Sequence, residues 1–290
     1  MMEKKINTAQ NSIKKYINFL SCPLCGAEFD LCGASLKCKN SHTYDLSKKG
    51  YANLFNGYTK IVKTYDKNLF SARKTVSDTG LYTRLINKTG EILTVYGKNP
   101  SVLDAGCGCG NLTHEILKKT GASPLFAVDL SKDGIAFAAA NFCESGLIWL
   151  VANLNNLPFG EDKFDIILNI MSPANYGEFK RTLKPGGILL KVMPDADYLK
   201  ELRSFIYKEN DKNEYSNAGV LDNLAEHITL KELIDIKYTH TLSAGNIRAL
   251  FEMTPLTANL TGREKIKREL VLQNTDFKAT LAFKIAVCKI

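Results

Sequence analysis

Several things are scarce in this sequence. No apolar run in its 290 residues approaches the about 18 that a membrane-crossing helix needs. The first eighteen residues carry Lys4, Lys5, Lys14 and Lys15 but lead into no apolar stretch of the kind a secretory leader has. Eight cysteines are too few, in a chain this long, to form a disulfide scaffold. These absences argue against membrane and secreted classes, and a cytoplasmic location is expected. Acidic residues are scarce only locally. Residues 1–74 hold thirteen Lys/Arg against five Asp/Glu, whereas residues 75–290 balance at 25 against 25, so the net charge of +8 arises in the N-terminal quarter. A basic excess confined to one module suggests a polyanion bound there; a solubilising surface is the plain alternative. Apolar and charged contents of 45% and 23% are those of a globular protein.

Inside that basic quarter, Cys22, Cys25, Cys38 and His42 follow the pattern C-x2-C-x12-C-x3-H. Two close pairs separated by a short insert suit tetrahedral Zn2+, because each pair presents both ligands on one side. Gly26 allows a tight turn behind the second sulfur. Lys37 and Lys39 flank Cys38, and nearby cations favour the thiolate that a metal requires. Such a site is expected to be closed and structural, replacing the core that about 40 residues cannot supply. Cys32 lies between the pairs without a companion at ligand spacing. The alternative is a set of unrelated reduced cysteines.

From residue 101 the chain reads Ser-Val-Leu-Asp-Ala-Gly-Cys-Gly-Cys-Gly. An apolar strand over 102–105, ending at Asp104 and Ala105, runs into Gly106, Gly108 and Gly110 and then into an amphipathic helix. This is how a doubly wound α/β sheet begins its nucleoside-binding edge, where a Cβ would obstruct the ligand. A second strand, Leu125–Val128, ends in Asp129, placed to grip a ribose; the plain reading is a helix N-cap, with Ser131 competing. A third strand over about 147–151 leads to Asn153 and Leu154. A fourth, Phe164–Asn169, precedes a helix and the turn Leu183–Gly187, before a strand Ile188–Val192. Residues 221–237 and 261–272 are expected to be helical, and 280–289 to form a closing strand that buries Phe283 and Val287.

A glycine loop alone fits dinucleotide enzymes as well. The G-x-G-x-G form, followed by Leu157-Pro158-Phe159 and Leu183-Lys184-Pro185-Gly186-Gly187, resembles class I S-adenosylmethionine (SAM)-dependent methyltransferases over 100–192. Nearly the whole chain from Phe19 resembles one family, the bacterial 23S rRNA (guanine-N1)-methyltransferases. The resemblance rests on Ser21-Cys22-Pro23-Leu24-Cys25, Cys38-x3-His42, Lys49-Gly50-Tyr51-Ala52-Asn53-Leu54, Phe70-Ser71-Ala72-Arg73 with Gly80 and Tyr82, the glycine loop, and Met253-Thr254-Pro255. It implies zinc on Cys22, Cys25, Cys38 and His42. It implies SAM held by Tyr82, Asp104, Gly106, Gly108, Gly110, Leu112, Thr113, Asp129, Asn153, Leu154 and Tyr198. It also implies 23S rRNA as partner, with no DNA and no membrane, and a homodimer. Tyr198, Asn153 and Leu256-Thr257-Ala258 depart from the family pattern.

The division expected is an extension over 1–18, a zinc domain over 19–58, a basic helical linker over 59–95 and a SAM domain over 96–290. Lys48, Lys49, Tyr58, Lys60, Lys63, Arg73 and Lys74 mix cations with an aromatic face and are the RNA-contact candidates. Methylating guanine N1 requires loss of its proton and an unpaired base. Asp195 and Asn169 are candidates for a base, though each suits a turn or capping role as well. Competing functions are methylation of another RNA or a small molecule, and RNA binding without catalysis.

Overall fold

The computed structural model describes residues 2–57, 67–97, 99–207, 216–258, 260–273 and 275–289. Tyr58, Lys60 and Lys63 lie outside the described residues. A helix α1 (Met2–Lys15) opens the chain. Strands β1 (Phe29–Cys32), β2 (Ser35–Cys38) and β3 (Thr43–Asp45) then form a small antiparallel sheet. After β4 (Tyr51–Asn53) come helices α2 (Lys67–Asp78) and α3 (Thr83–Val95). An alternating region follows: β5 (Val102–Ala105), α4 (Asn111–Thr120), β6 (Leu125–Asp129), α5 (Lys132–Asn141), β7 (Leu147–Val151), β8 (Phe164–Ile170), α6 (Tyr176–Thr182) and β9 (Leu183–Pro194). The chain closes with α7 (Lys200–Ile206), α8 (Ala218–His227), β10 (Thr229–Ser243), α9 (Ala244–Met253), α10 (Arg263–Gln273) and β11 (Asp276–Lys289).

The large sheet has the order β10-β11-β9-β8-β5-β6-β7-β4. Strands β4 to β9 run parallel and β10 and β11 antiparallel. Strand order reverses beside β5, and ligands of such sheets bind outside the strand C-termini at that reversal. β5 and β7 are buried at every position, as parallel strands covered on both faces must be. One face packs on Val102, Leu125, Ile166, Leu190 and Ile285, the other on Leu103, Phe126, Ile167, Leu189 and Phe159.

The second of those cores also contains Cys22, Phe29, Leu36, Cys38 and Tyr44, so the small sheet shares its interior with the large one. β4, expected within the zinc domain, is the outer strand of the large sheet, paired with β7 from Tyr51↔Trp149 to Asn53↔Val151. Within residues 59–95, expected as a basic helical linker, the described part carries α2 and α3; α2 packs on α9, α4 and α5. Residues 2–18, within the expected extension, fold as well. Gln10 Nε2 donates to the Gly33 carbonyl (2.9 Å), Gly146 N donates to Ser12 Oγ (3.0 Å), and Tyr16 OH meets Ser123 Oγ (2.9 Å). Helix α1 thus touches both sheets.

Two expectations are corrected. The helix over 221–237 ends at His227, and β10 follows. Ile234, Ile236 and Tyr238 repeat with a period of two, and their strand pairs with β11 from Thr229↔Lys289 to Ser243↔Asp276. The turn at 183–187 is the start of β9: Leu183 pairs with Phe164, and a register shift before Ile166 accommodates the glycines.

Candidate functional site

The first site is the four-ligand cluster. The backbone folds around Cys22, whose carbonyl accepts from Gly26 N (2.8 Å), with Gly26 at φ +70° where a side chain would be strained. Ser41 at φ +65° turns the chain so that Cys38 N donates to the His42 carbonyl (3.0 Å). The four ligand atoms lie within 4.8 Å of one another. Cys25 Sγ and Cys38 Sγ are 3.8 Å apart, and His42 Nδ1 is 3.5 Å from Cys22 Sγ and 3.4 Å from Cys38 Sγ. Tetrahedral Zn2+, with bonds of about 2.3 Å to sulfur and 2.0 Å to nitrogen, requires edges of about 3.8 and 3.5 Å. The set therefore fits a structural zinc ion through His42 Nδ1. Behind it, Asn56 Nδ2 donates to Tyr44 OH (2.6 Å), and that hydroxyl lies 3.9 Å from Cys22 Sγ, an outer-shell partner that orients the ligand. Backbone N–H of Ala27 and the Asn40 side chain hold the exposed Cys25 thiol down at about 6. Burial pushes Cys22 the other way. Cys32 is outside the cluster.

The second site is at the C-terminal ends of β5 and β6. Gly106, Gly108 and Gly110 have φ of +90°, +60° and +77°. A Cβ on Gly106 would fall 1.8 Å from Ser172 Oγ, and one on Gly110 2.4 Å from the Trp149 ring. Asp129 is not the helix cap: Ser131 takes that role, accepting from Gly134 N (3.1 Å). Asp129 instead accepts from Gly108 N through Oδ2 and Ser131 N through Oδ1, both at 2.8 Å, leaving one lone pair on each oxygen for a diol. Burial pushes its carboxyl up, opposed by those N–H groups and by Arg73. Asp104 is buried. Thr113 Oγ1 donates to its Oδ2 (2.6 Å), while its Oδ1 has no partner. An orphaned buried carboxylate oxygen is an unfilled acceptor beneath a cradle that Cβ atoms would block, and this fits a bound SAM.

Around that cradle, Leu154 Cδ1 lies 3.9 Å from the Cβ position of Gly106, and Tyr82 OH meets Tyr198 OH at 3.2 Å. Leu112 is half-buried on the same core, and Thr113 acts through Asp104. Asn153 Oδ1 already accepts from Asn155 N (3.0 Å), so one lone pair remains for an adenine amino group. Arg73, grouped above with the RNA lysines, is placed here instead. Its Nη1 is 3.6 Å from the Cβ position of Gly108, and its Nε donates to the Met253 carbonyl (3.3 Å). That contact joins two motifs 180 residues apart, and no local signal foretold it. Lys74 pairs with Asp78 (2.7 Å), whereas Lys48 and Lys49 are exposed on the turn before β4.

The candidate bases fare differently. Asn169 is fully buried; its Nδ2 donates to the carbonyls of Ala105 (2.8 Å) and Pro173 (3.0 Å), and its Oδ1 accepts from Lys191 (2.6 Å). It belongs to the framework. Asp195 is 3.6 Å from Lys284 Nζ and accepts from Asn217 Nδ2 at 3.3 Å, a carboxylate tied into the strand end. Lys191 itself was missed, though a single lysine within Ile188-Leu-Leu-Lys-Val-Met193 was a signal.

One consequence is measurable. Burial pushes the Asp104 carboxyl up to about 7. A carboxyl raised on folding is protonated in the folded chain and ionised in the unfolded one between about pH 4 and 7. Its share of stability is therefore intact below pH 4 and lost as pH rises through 7. Between pH 4 and 8 the ligand-free wild type should lose up to about 4 kcal/mol relative to Asp104→Asn. Paired denaturant melts across that range check this; parallel curves would contradict it.

Fold and site together define a class I SAM-dependent methyltransferase carrying an N-terminal structural zinc ribbon. Residues 102–187 match the family profile described as "Methyltransferase domain", and residues 20–60 match the zinc ribbon described as "RlmA, N-terminal". A Bacillus subtilis (strain 168) protein, provisionally named a 23S rRNA (guanine-N1)-methyltransferase, is 36% identical over 84% of this chain and 89% of its own. The 23S rRNA (guanine(748)-N1)-methyltransferase of Streptomyces fradiae is 31% identical over 65% of this chain and 68% of its own. The chain belongs to the bacterial 23S rRNA (guanine-N1)-methyltransferase family.

Proposed function

We propose that this protein transfers a methyl group from SAM to N1 of one guanine in a hairpin loop of 23S rRNA, in the cytoplasm and as a homodimer, with the RNA docked on the basic zinc module. The observation that carries the reading is a relative named for guanine-N1 methylation of 23S rRNA, matched over 84% of this chain and 89% of its own length. Among the described residues no helix is long and apolar enough to cross a membrane.

Bound SAM supplies an electrophilic methyl on a sulfonium centre. The chain's contribution is alignment in a dry pocket. Asp129 would hold the ribose, and the Gly106–Gly110 backbone would pass under the amino-acid part. Asp104 Oδ1 would accept a donor from that part, with the Arg73 guanidinium near the same end over Gly108. The target base must leave its stack to expose N1. Asn169 is locked in the framework and Asp195 is tied to Lys284 and Asn217, so neither stands free as a base for the N1 proton.

Mass spectrometry of 23S rRNA from cells with and without the gene tests the substrate. Loss of a single 1-methylguanosine is expected; an unchanged profile overturns the reading. Docking has its own test. Lys37, Lys39, Lys48 and Lys49 are all exposed on or beside the ribbon. Reversing Lys48 and Lys49 to Glu should weaken binding to the rRNA hairpin about tenfold and flatten its salt dependence. SAM affinity should not move. An unaltered salt slope would place the RNA elsewhere.

A further inference from the structure

β9 carries a cation where its neighbours are apolar. Lys191 is 4% exposed, between Leu190 and Val192, and its ammonium meets an amide oxygen and a backbone carbonyl rather than a carboxylate. A buried ammonium costs stability unless its protons are bonded, and an apolar residue would suit this strand better. Its bonds all lead to one place. Lys191 Nζ donates to Asn169 Oδ1 (2.6 Å) and to the Ser172 carbonyl (3.1 Å). Asn169 Nδ2 in turn donates to the carbonyls of Ala105, the last residue of β5, and Pro173. Met171 N donates to the Val192 carbonyl at 2.9 Å.

These bonds over-determine the turn after β8. Met171 within it has φ +50°, a left-handed conformation that a non-glycine residue keeps only when its surroundings enforce it. Its side chain is 38% exposed, unusual for methionine beside a packed core. The next residue, Ser172, presses its side chain against Gly106, where a Cβ would stand 1.8 Å from Oγ. One buried cation therefore fixes a strained turn against the first glycine of the cofactor loop.

We propose that Lys191 is a positioning residue: it locks the Asn169–Pro173 turn against Gly106, so that this wall of the cofactor site is formed before ligand arrives. The assignment rests on the reading that the Gly106–Gly110 loop holds SAM. Burial also pulls the Lys191 ammonium down to about 8, consistent with a group that gives up hydration to reach its two acceptors.

Lys191→Met tests it by calorimetric SAM titration beside the wild type. The SAM Kd should rise about tenfold, and the KM for SAM with it, while kcat at saturating SAM stays within threefold. Glycine adopts φ +50° without strain, so adding Met171→Gly to that background should restore part of the affinity. SAM affinity within twofold of wild type in K191M overturns the assignment alone. No SAM binding by the wild type overturns the cofactor reading, and this assignment with it. Should K191M fail to fold, amide exchange of the wild type decides. Slow exchange at Met171 supports a locked turn, and exchange at the rate of an exposed loop overturns it.

Discussion

Gly106→Ala should abolish useful SAM binding, raising the Kd at least about 100-fold. Two effects combine. At φ +90° an alanine is strained by about 1–3 kcal/mol wherever it sits. Its Cβ would also stand 1.8 Å from Ser172 Oγ and 2.5 Å from Ser172 Cβ. Rotating one hydroxyl does not relieve the second contact, so the 169–173 turn or the loop must move. Either movement disturbs the N–H groups of Gly106 and Cys107, which donate to the Val128 carbonyl at 2.8 and 3.0 Å. Gly219→Ala is the matched control. It lies in α8 with nothing within 4 Å of its Cβ position, and it should be neutral or slightly stabilising. Calorimetry on both variants checks the contrast; wild-type affinity in folded G106A would refute the site.

Cys22→Ser should have the larger effect on stability. Structural zinc in small domains contributes roughly 10–16 kcal/mol of apparent binding free energy, and removing one thiolate forfeits most of it. Cys22 is 1% exposed, in the same core as Phe126, Phe159 and Phe164. The damage therefore spreads from the ribbon into one face of the catalytic sheet. Metal analysis should find about one zinc per chain in the wild type and almost none in C22S, and Tm should fall by at least about 10 °C. Cys143→Ser, at an exposed cysteine outside the metal cluster, should change neither. Full zinc content in C22S would disprove the ligand set.

Much of this arrangement was legible in the sequence for identifiable reasons. β5, β6 and β7 are short, mostly apolar runs: the first leads into Gly106, the second ends in Asp129 and the third leads to Asn153, as strands buried on both faces do. The metal cluster was legible because its ligands fall in two local pairs. β10 was misread because its charged residues also suit a helix, and only the partner strand 50 residues later settles the period. Arg73 and Ser172 were illegible for a different reason. Each acquires its role from a contact with a distant loop, Met253 for one and Gly106 for the other, and nothing in the neighbouring sequence announces it. Asn169 shows the converse: its position at a strand end suggested chemistry, and three hydrogen-bonding atoms around its side chain show architecture.

The strand at the outer edge has a mechanical meaning. β4 leaves the ribbon through a four-residue turn, where Ser47 N donates to the Tyr51 carbonyl (2.8 Å) and Gly50 N to the Ser47 carbonyl (2.8 Å), and goes directly into register with β7. The joint is fused. A ribbon on a tether would sample many distances from the methyl donor; one sewn into the sheet keeps a single span. If RNA docks on the ribbon as proposed, the molecule would work as a caliper: with the RNA held at one jaw, the base standing at the other jaw would be the one offered to the chemistry.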